Sequence, residues 1–539
     1  MFSRLNVVLQ LIFLIRFRQF SATDVRPHII FILADDLGWN DVSFHGSGQI
    51  LTPNIDALAY SGLILNNYYV MPLCTPSRSA LMTGKHPIHN GMQHGVLYGG
   101  EPRGLPLNET ILPQYLKDLG YSTHIVGKWH LGSYKKEYTP LYRGFESHLG
   151  FWTGHHDYFD HTAMEKGTWG LDMRRNLDVA WDLHGEYSTD LFTKQAEIII
   201  KNHNKTRPLF LYFAHAAVHS ANPYNPLPSP DNYVAKLSHI SDYNRRRFAG
   251  VLTKLDESVG KVVQALEVNN MLRNSIIVFS SDNGGPASGF NLNAASNWPL
   301  KGVKNTLWEG GVRATGLLWS PLISQKHRVA SQMMHVTDWL PTLYYAAGGD
   351  LKNLPELDGY NLWSSLSEDT NSPRREILHN IDEIYGNSAL TMGQWKLLNG
   401  TTYNGIWDRW YGPSGRSDYY NTTYILNCPA SNCLKKVHES LDSRTVEKMR
   451  KEAEINCPNS KSEGNPPCKP LEAPCLFDIK SDPCEQQNLA RKYPLILAEL
   501  LDRLDLWKRT SVPPINLPVD PKGDPRYWQY TWTNFGDYI

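Results

Sequence analysis

Apolar positions along the chain follow two rhythms. From about residue 27 to 350, short unbroken apolar runs alternate with longer stretches in which apolar residues recur every three or four positions. The runs His28-Ile-Ile-Phe-Ile-Leu-Ala34, Ser122 to Val126, Leu209 to Ala214, Ser275 to Ser281 and Ala314 to Trp319 predict strands. The first shows no polar alternation, as expected of a parallel strand covered on both faces. Helices are predicted from Pro53, after Thr52, to Gly62, from near Pro76 toward Gly84, over Asp242 to Leu272, and after Thr337. Strand–helix alternation of this kind predicts a doubly wound α/β domain, placed at 23–375.

Beyond about Arg375 the rhythm breaks. Gly, Asn, Tyr and Trp become frequent, and only Pro494 to Trp507 reads as a clear helix, which predicts a smaller α+β domain at 376–539. At the other end, Val7 to Ile15 is apolar, preceded by Arg4 and followed by Arg16 and Arg18. That run is too short to span a bilayer, which needs about 20 apolar residues. With small residues at Ser21-Ala22 it predicts a secretory signal peptide over 1–22.

Cysteines point to the same compartment. Six of the seven, Cys428, Cys433, Cys457, Cys468, Cys475 and Cys484, lie in the C-terminal part. An even cluster in an exported chain predicts three disulfides, of undetermined pairing. A zinc site would want a second close pair or a His at finger spacing, and neither is there. Sequons at Asn108, Asn204, Asn399 and Asn421 fit a glycoprotein. Lys+Arg and Asp+Glu both count 53 in 539 residues, so the chain is no general nucleic-acid binder.

In doubly wound sheets ligands bind at the carboxyl ends of the strands. After the first predicted strand come Asp35-Asp36, after the second Lys128-Trp129-His130, in the loop after the third His219, and after the fourth Asp282-Asn283-Gly284-Gly285. Each alone is common in turns. Together they offer three carboxylates and an amide oxygen, a set for a hard divalent cation such as Ca²⁺ or Mg²⁺. His215 lies closer to its strand end than His219 and competes with it for a role. The seventh cysteine, Cys74, stands just ahead of a predicted helix start, where unpaired N–H groups favour an anion. Arg78 lies one turn further along.

Cys74-Thr-Pro76-Ser-Arg78, continuing Ser79-Ala-Leu-Met-Thr-Gly84, resembles the sulfatase signature. Asp35-Asp36, Gly127-Lys-Trp-His-Leu-Gly132, Val218-His219, Asp282-Asn-Gly-Gly285 and Lys304 with Trp308-Glu-Gly-Gly-Val-Arg313 follow in the family's order, with a looser match at Cys475-Leu-Phe-Asp-Ile479. Asn297-Trp-Pro-Leu300 and Leu307-Trp-Glu-Gly-Gly311 look most like the branch containing arylsulfatase B and the I- and J-type arylsulfatases. Absence of other cysteines from the N-terminal domain departs from that branch, so its substrate does not simply transfer.

The resemblance implies an alkaline-phosphatase-like fold, a mixed α/β sheet with helices on both faces, and hydrolysis of aryl or carbohydrate sulfate esters. It implies that a formylglycine-generating enzyme converts Cys74 to Cα-formylglycine, whose hydrate attacks sulfur and forms a covalent sulfate ester. Asp35, Asp36, Asp282, Asn283 and the modified Cys74 would hold one Ca²⁺. Arg78 would assist the attack, Lys128 and Lys304 would contact the sulfate, His219 would act as acid, and His130 as the base that drives elimination. A secreted or lysosomal enzyme follows. A phosphomonoesterase or phosphodiesterase on the same fold, or a binding protein that lost catalysis, are the alternatives.

Overall fold

Residues 29–34 of the strand His28–Ala34 face two different cores in alternation, which is why that stretch carries no polar position. Ile30, Ile32 and Ala34 join one core, Ile29, Phe31 and Leu33 the other. In the computed structural model, which describes residues 26–412, 414–416, 420–457 and 467–539, this strand lies inside a ten-stranded sheet. The expected signal peptide falls outside the described residues. Ile30 pairs in parallel with Leu211 on one side and Ile277 on the other. Parallel order continues through Ser122–Lys128 to Ser147–Phe151, while Gly316–Trp319 runs antiparallel to Ser275–Ser281, so the sheet is mixed. Four further strands of two or three residues complete it, too short for a period of two to be read.

Helices cover both faces. Pro53–Ser61, Ser188–Lys201 and Tyr243–Val268 build one layer with the first core; Cys74–Thr83, Leu112–Asp118 and Trp339–Ala346 build the other. Tyr243–Val268 starts as expected, with the Asp242 carboxylate accepting from Arg245 N–H. Ser188–Lys201 carries no such signal: Tyr187 gives no side-chain cap and no glycine stops it, so it went unread.

Two expectations about the C-terminal part are corrected. Pro494–Thr510 is joined by the helices Pro429–Lys436 and Ser443–Ala453, which pack against the large sheet's helical layer through Leu434, Val446 and Met449. The described residues contain two disulfides rather than three, Cys457–Cys484 and Cys468–Cys475. Cys428 and Cys433 are buried thiols. Cys428 caps its helix, donating to the Pro53 carbonyl and accepting from Ser431 N–H, and five residues carry Cys433 about 140° around the axis.

A four-stranded antiparallel sheet, Glu376–Asp382, Asn387–Met392, Trp395–Asn399 and Cys475–Asp478, lies against the main body. Pro494–Thr510 covers one face with Leu500 and Leu504; the other meets Trp308 and Val312. A buried charge set pins this join. Lys396 Nζ lies 2.9 Å from Glu309 Oε1 and 2.8 Å from Glu485 Oε1, with all three side chains 0% exposed. Burial pushes Glu485 up, and Lys396 opposes it. Removing the cation leaves two buried carboxylates facing each other. Lys396→Met is therefore expected to cost about 3–5 kcal/mol by denaturant unfolding, and Lys396→Met/Glu485→Gln to recover part of it. An unchanged midpoint in Lys396→Met would remove the pin from the account.

Candidate active site

Four central strands end on one polar cluster, and the helix Cys74–Thr83 closes it from the side. Cys74 is the first residue of that helix rather than the residue before it, and it is 1% exposed. Its Sγ lies 3.7 Å from Asp35 Oδ1. Arg78, one turn on, donates from Nε and Nη2 to Asp282 Oδ2 at 3.1 and 2.8 Å and from Nη1 to the Lys128 carbonyl at 3.2 Å. Lys128 Nζ meets Asp35 Oδ2 at 2.7 Å, and Lys304 Nζ meets Asp36 Oδ1 at 2.6 Å. Asn283 Nδ2 donates to the same Asp36 oxygen at 2.7 Å.

Backbone shape places these groups. Asp36 and His130 both take left-handed φ, 64° and 59°, a strained choice for residues with a Cβ. Ahead of Lys128, Gly127 has φ 101°, and a Cβ there would lie 1.8 Å from the Ala214 carbonyl oxygen. Only glycine fits.

Three carboxylates thus face three cations, and none of the six side chains is more than 3% exposed. Burial drives Asp35 toward protonation, against Lys128 and Arg78. Burial also works against Asp282, yet Arg78, Lys128 and Lys304 outweigh it and hold that carboxyl below the usual range. The Cys74 thiol is pushed up to about 12 by burial, so it stays protonated.

Both catalytic candidates among the histidines, His130 and His219, line the cavity. His219 Nδ1 donates to the Ser220 carbonyl at 2.6 Å, turning Nε2 toward Lys304 Nζ and Asp36 Oδ2, each at 3.3 Å. His130 Nε2 donates to the Leu97 carbonyl at 2.9 Å, leaving Nδ1 without a partner. Thr75 braces this side, donating to the His130 carbonyl and accepting from Leu97 N–H. Burial and nearby lysines hold both imidazoles well below their ordinary range. His215 is elsewhere: fully buried, it reaches Ser258 on the long helix at 3.3 Å and does not line the cavity. Distance along the chain from the strand end misleads here, because the loop turns back.

Asp36 Oδ2 and Asn283 Oδ1 are buried and accept no hydrogen bond. Ligand atoms of Asp35, Asp36, Cys74 and His219 all lie within 4.8 Å of one another. Bare oxygens converging beside further carboxylates fit a hard divalent cation, whose charge would satisfy them.

Above the cluster opens a cavity of about 640 Å³. Sequence reading missed its walls: His155, stacked on His219 at 5.8 Å; Tyr98; the hairpin residues Glu165 and Lys166; and Tyr385, Tyr403 and Asn516 from the C-terminal part. No local motif marks them, since they meet only in the fold.

The sulfatase family profile matches residues 27–349. Arylsulfatase J of Mus musculus is 41% identical over 519 residues, covering 95% of this chain and 81% of that protein. N-acetylgalactosamine-6-sulfatase of Homo sapiens is 30% identical over 392 residues, covering 69% and 71%. Among solved structures, Ps i-CgsB in complex with k-i-k-neocarrahexaose superposes with a TM-score of 0.69 at 26% identity, covering 94% of this chain and 97% of that one.

Elemental analysis of the purified protein is expected to find one hard divalent cation per chain. Asp36→Ala should lose it, and chelation should lower the thermal midpoint of the wild type but not of the variant. Full metal content in Asp36→Ala would place the ion elsewhere.

Proposed function

The chain belongs to the sulfatase family and is a sulfuric ester hydrolase, and from that premise we propose that it cleaves aryl or carbohydrate sulfates using Cα-formylglycine made from Cys74 and one Ca²⁺. The observation that carries this reading is the neutral set of three carboxylates and three cations packed around Cys74, with two oxygens left bare. A dication added to a neutral set leaves a positive site that suits a sulfate ester. A thiol that burial keeps protonated is a poor nucleophile, so unmodified Cys74 does not suit the chemistry.

Asp35, Asp36, Asp282, Asn283 and position 74 would hold the ion. When bound, it neutralises sulfate oxygens, and the hydrated formylglycine supplies an oxygen nucleophile. The chain's own residues do the rest. Arg78 orients Asp282 beside position 74, and Lys128 and Lys304 shift from their carboxylates toward the incoming sulfate oxygens. His219, its Nδ1–H anchored on Ser220, takes a proton at Nε2 from the neighbouring Lys304 ammonium and passes it to the departing oxygen. His130, anchored through Nε2, takes a proton at Nδ1 from the hydroxyl at position 74.

We place the enzyme in the secretory pathway, secreted or lysosomal, where a formylglycine-generating enzyme would convert Cys74. Two disulfides and the exposed sequon residues Asn108 and Asn204 support export. No helix among the described residues is long and apolar enough to cross a membrane.

Cys74→Ala and Cys74→Ser are expected to abolish sulfate-ester hydrolysis while the protein is still secreted, and the wild-type peptide should be lighter than its cysteine form by about 18 mass units. Wild-type turnover in either variant would sink the covalent route. His219→Ala is expected to lose about 10²–10⁴-fold in kcat for poor leaving groups and much less for an activated aryl sulfate. If His215→Ala instead shows that leaving-group dependence, the acid has been misassigned.

A further inference from the structure

A sulfate group fills little of the 640 Å³ cavity, so most of that space must take the alcohol to which the sulfate is attached. Tyr98, Tyr385 and Tyr403 line its outer part, the last two 40% and 46% exposed, and offer ring faces near the opening. Charges on the lining are nearly all committed. His94 pairs with Asp382 at 2.9 Å, and Lys304 with Asp36. Glu165 is buried and accepts from Gly99 N–H and Gly154 N–H at 2.6 and 3.2 Å. Lys166 is the exception: it is exposed, and no carboxylate pairs with it among the described residues. Its ammonium rests over the Tyr98 ring at 4.3 Å from the centroid.

The backbone at Lys166 is costly. Lys166 and Gly167 form the two-residue turn between Thr162–Glu165 and Thr168–Leu171, at φ 49° and 83°. Such turns favour Asn or Asp before Gly, because the first position must also be left-handed. A lysine there holds a strained backbone, and strain of that kind marks functional positions.

We propose that Lys166 and its tyrosine neighbours form a subsite for a second anionic group, a carboxylate or a sulfate, carried on a ring of the leaving alcohol. This rests on the sulfate-ester reading above and narrows its substrate class to doubly anionic, ring-bearing esters. The cation selects the second charge, and the tyrosines take the ring.

Three 4-nitrophenyl sulfates test it, with a carboxymethyl, a sulfonatomethyl or a neutral carboxamidomethyl arm on the ring. The wild type is expected to favour a charged arm over the neutral one by about tenfold in kcat/KM, mostly through KM, and less so at high salt. Which charged arm leads distinguishes carboxylate from sulfate. Lys166→Asn, which suits the turn but lacks the charge, should lose the preference, and Lys166→Arg should keep it. A preference that survives in Lys166→Asn, or a wild type that treats all three arms alike, would overturn the subsite while the hydrolase reading stands. Failure of the wild type to cleave any of the three would instead overturn the reading beneath it.

Discussion

Three carboxylates and three cations buried under one cavity can exist only as a set. A single ionised group taken out of water costs several kcal/mol, and attraction to one partner seldom repays it. Here Asp35 is shared by Lys128 and Arg78, Asp282 is held by Arg78, and Asp36 by Lys304. The six members come from five separate parts of the chain, so the sheet, the Cys74–Thr83 helix and the loop bearing Lys304 must all be in register before any one charge is tolerable. The arrangement selects the fold as much as the fold presents the arrangement. It also leaves Asp36 Oδ2 and Asn283 Oδ1 unsatisfied, a cost that makes sense only if something positive shares the site.

How much of this was legible follows from the same physics. The central strands were readable because burial on both faces forbids polar residues, and chemistry at their ends was readable because strand ends are where a doubly wound sheet binds ligands. Cys74, Arg78, Lys128 and Lys304 carried the family's spacing. Short edge strands left no countable pattern, and Ser188–Lys201, apolar at Phe192, Ala196, Ile199 and Ile200, lacked a cap or a stop to mark its ends. The free thiols Cys428 and Cys433 were invisible for a different reason. An even number of cysteines invites pairing, but the helix that separates them is a tertiary fact, stabilised by packing against the main body.

The cavity wall was the least legible part. His155 and Lys166 come from one stretch and Tyr385 and Asn516 from two distant ones, and they obey no period, because they are placed by loops whose ends, not whose interiors, are fixed by the fold. Lys166 left one faint mark, a bulky residue ahead of Gly167 in a turn that wants Asn or Asp, but such a mark reads as strain only once φ is known.

This split separates two demands on the chain. The charge set at the strand ends tolerates no single substitution cheaply, since losing one member strands its partners in a dry interior. Lys166, Tyr385 and Tyr403 at the mouth are exposed, and losing one strands no buried charge, so they can change with little effect on folding. The C-terminal sheet contributes to the mouth yet is pinned to the body by its own buried set, Lys396 with Glu309 and Glu485, well away from Cys74 in the chain. Sulfate chemistry and selection of the attached alcohol therefore rest on different residues held by different interactions. A chain built this way can keep the reaction while its preferred alcohol drifts, because the interactions that fix the one do not pass through the residues that choose the other.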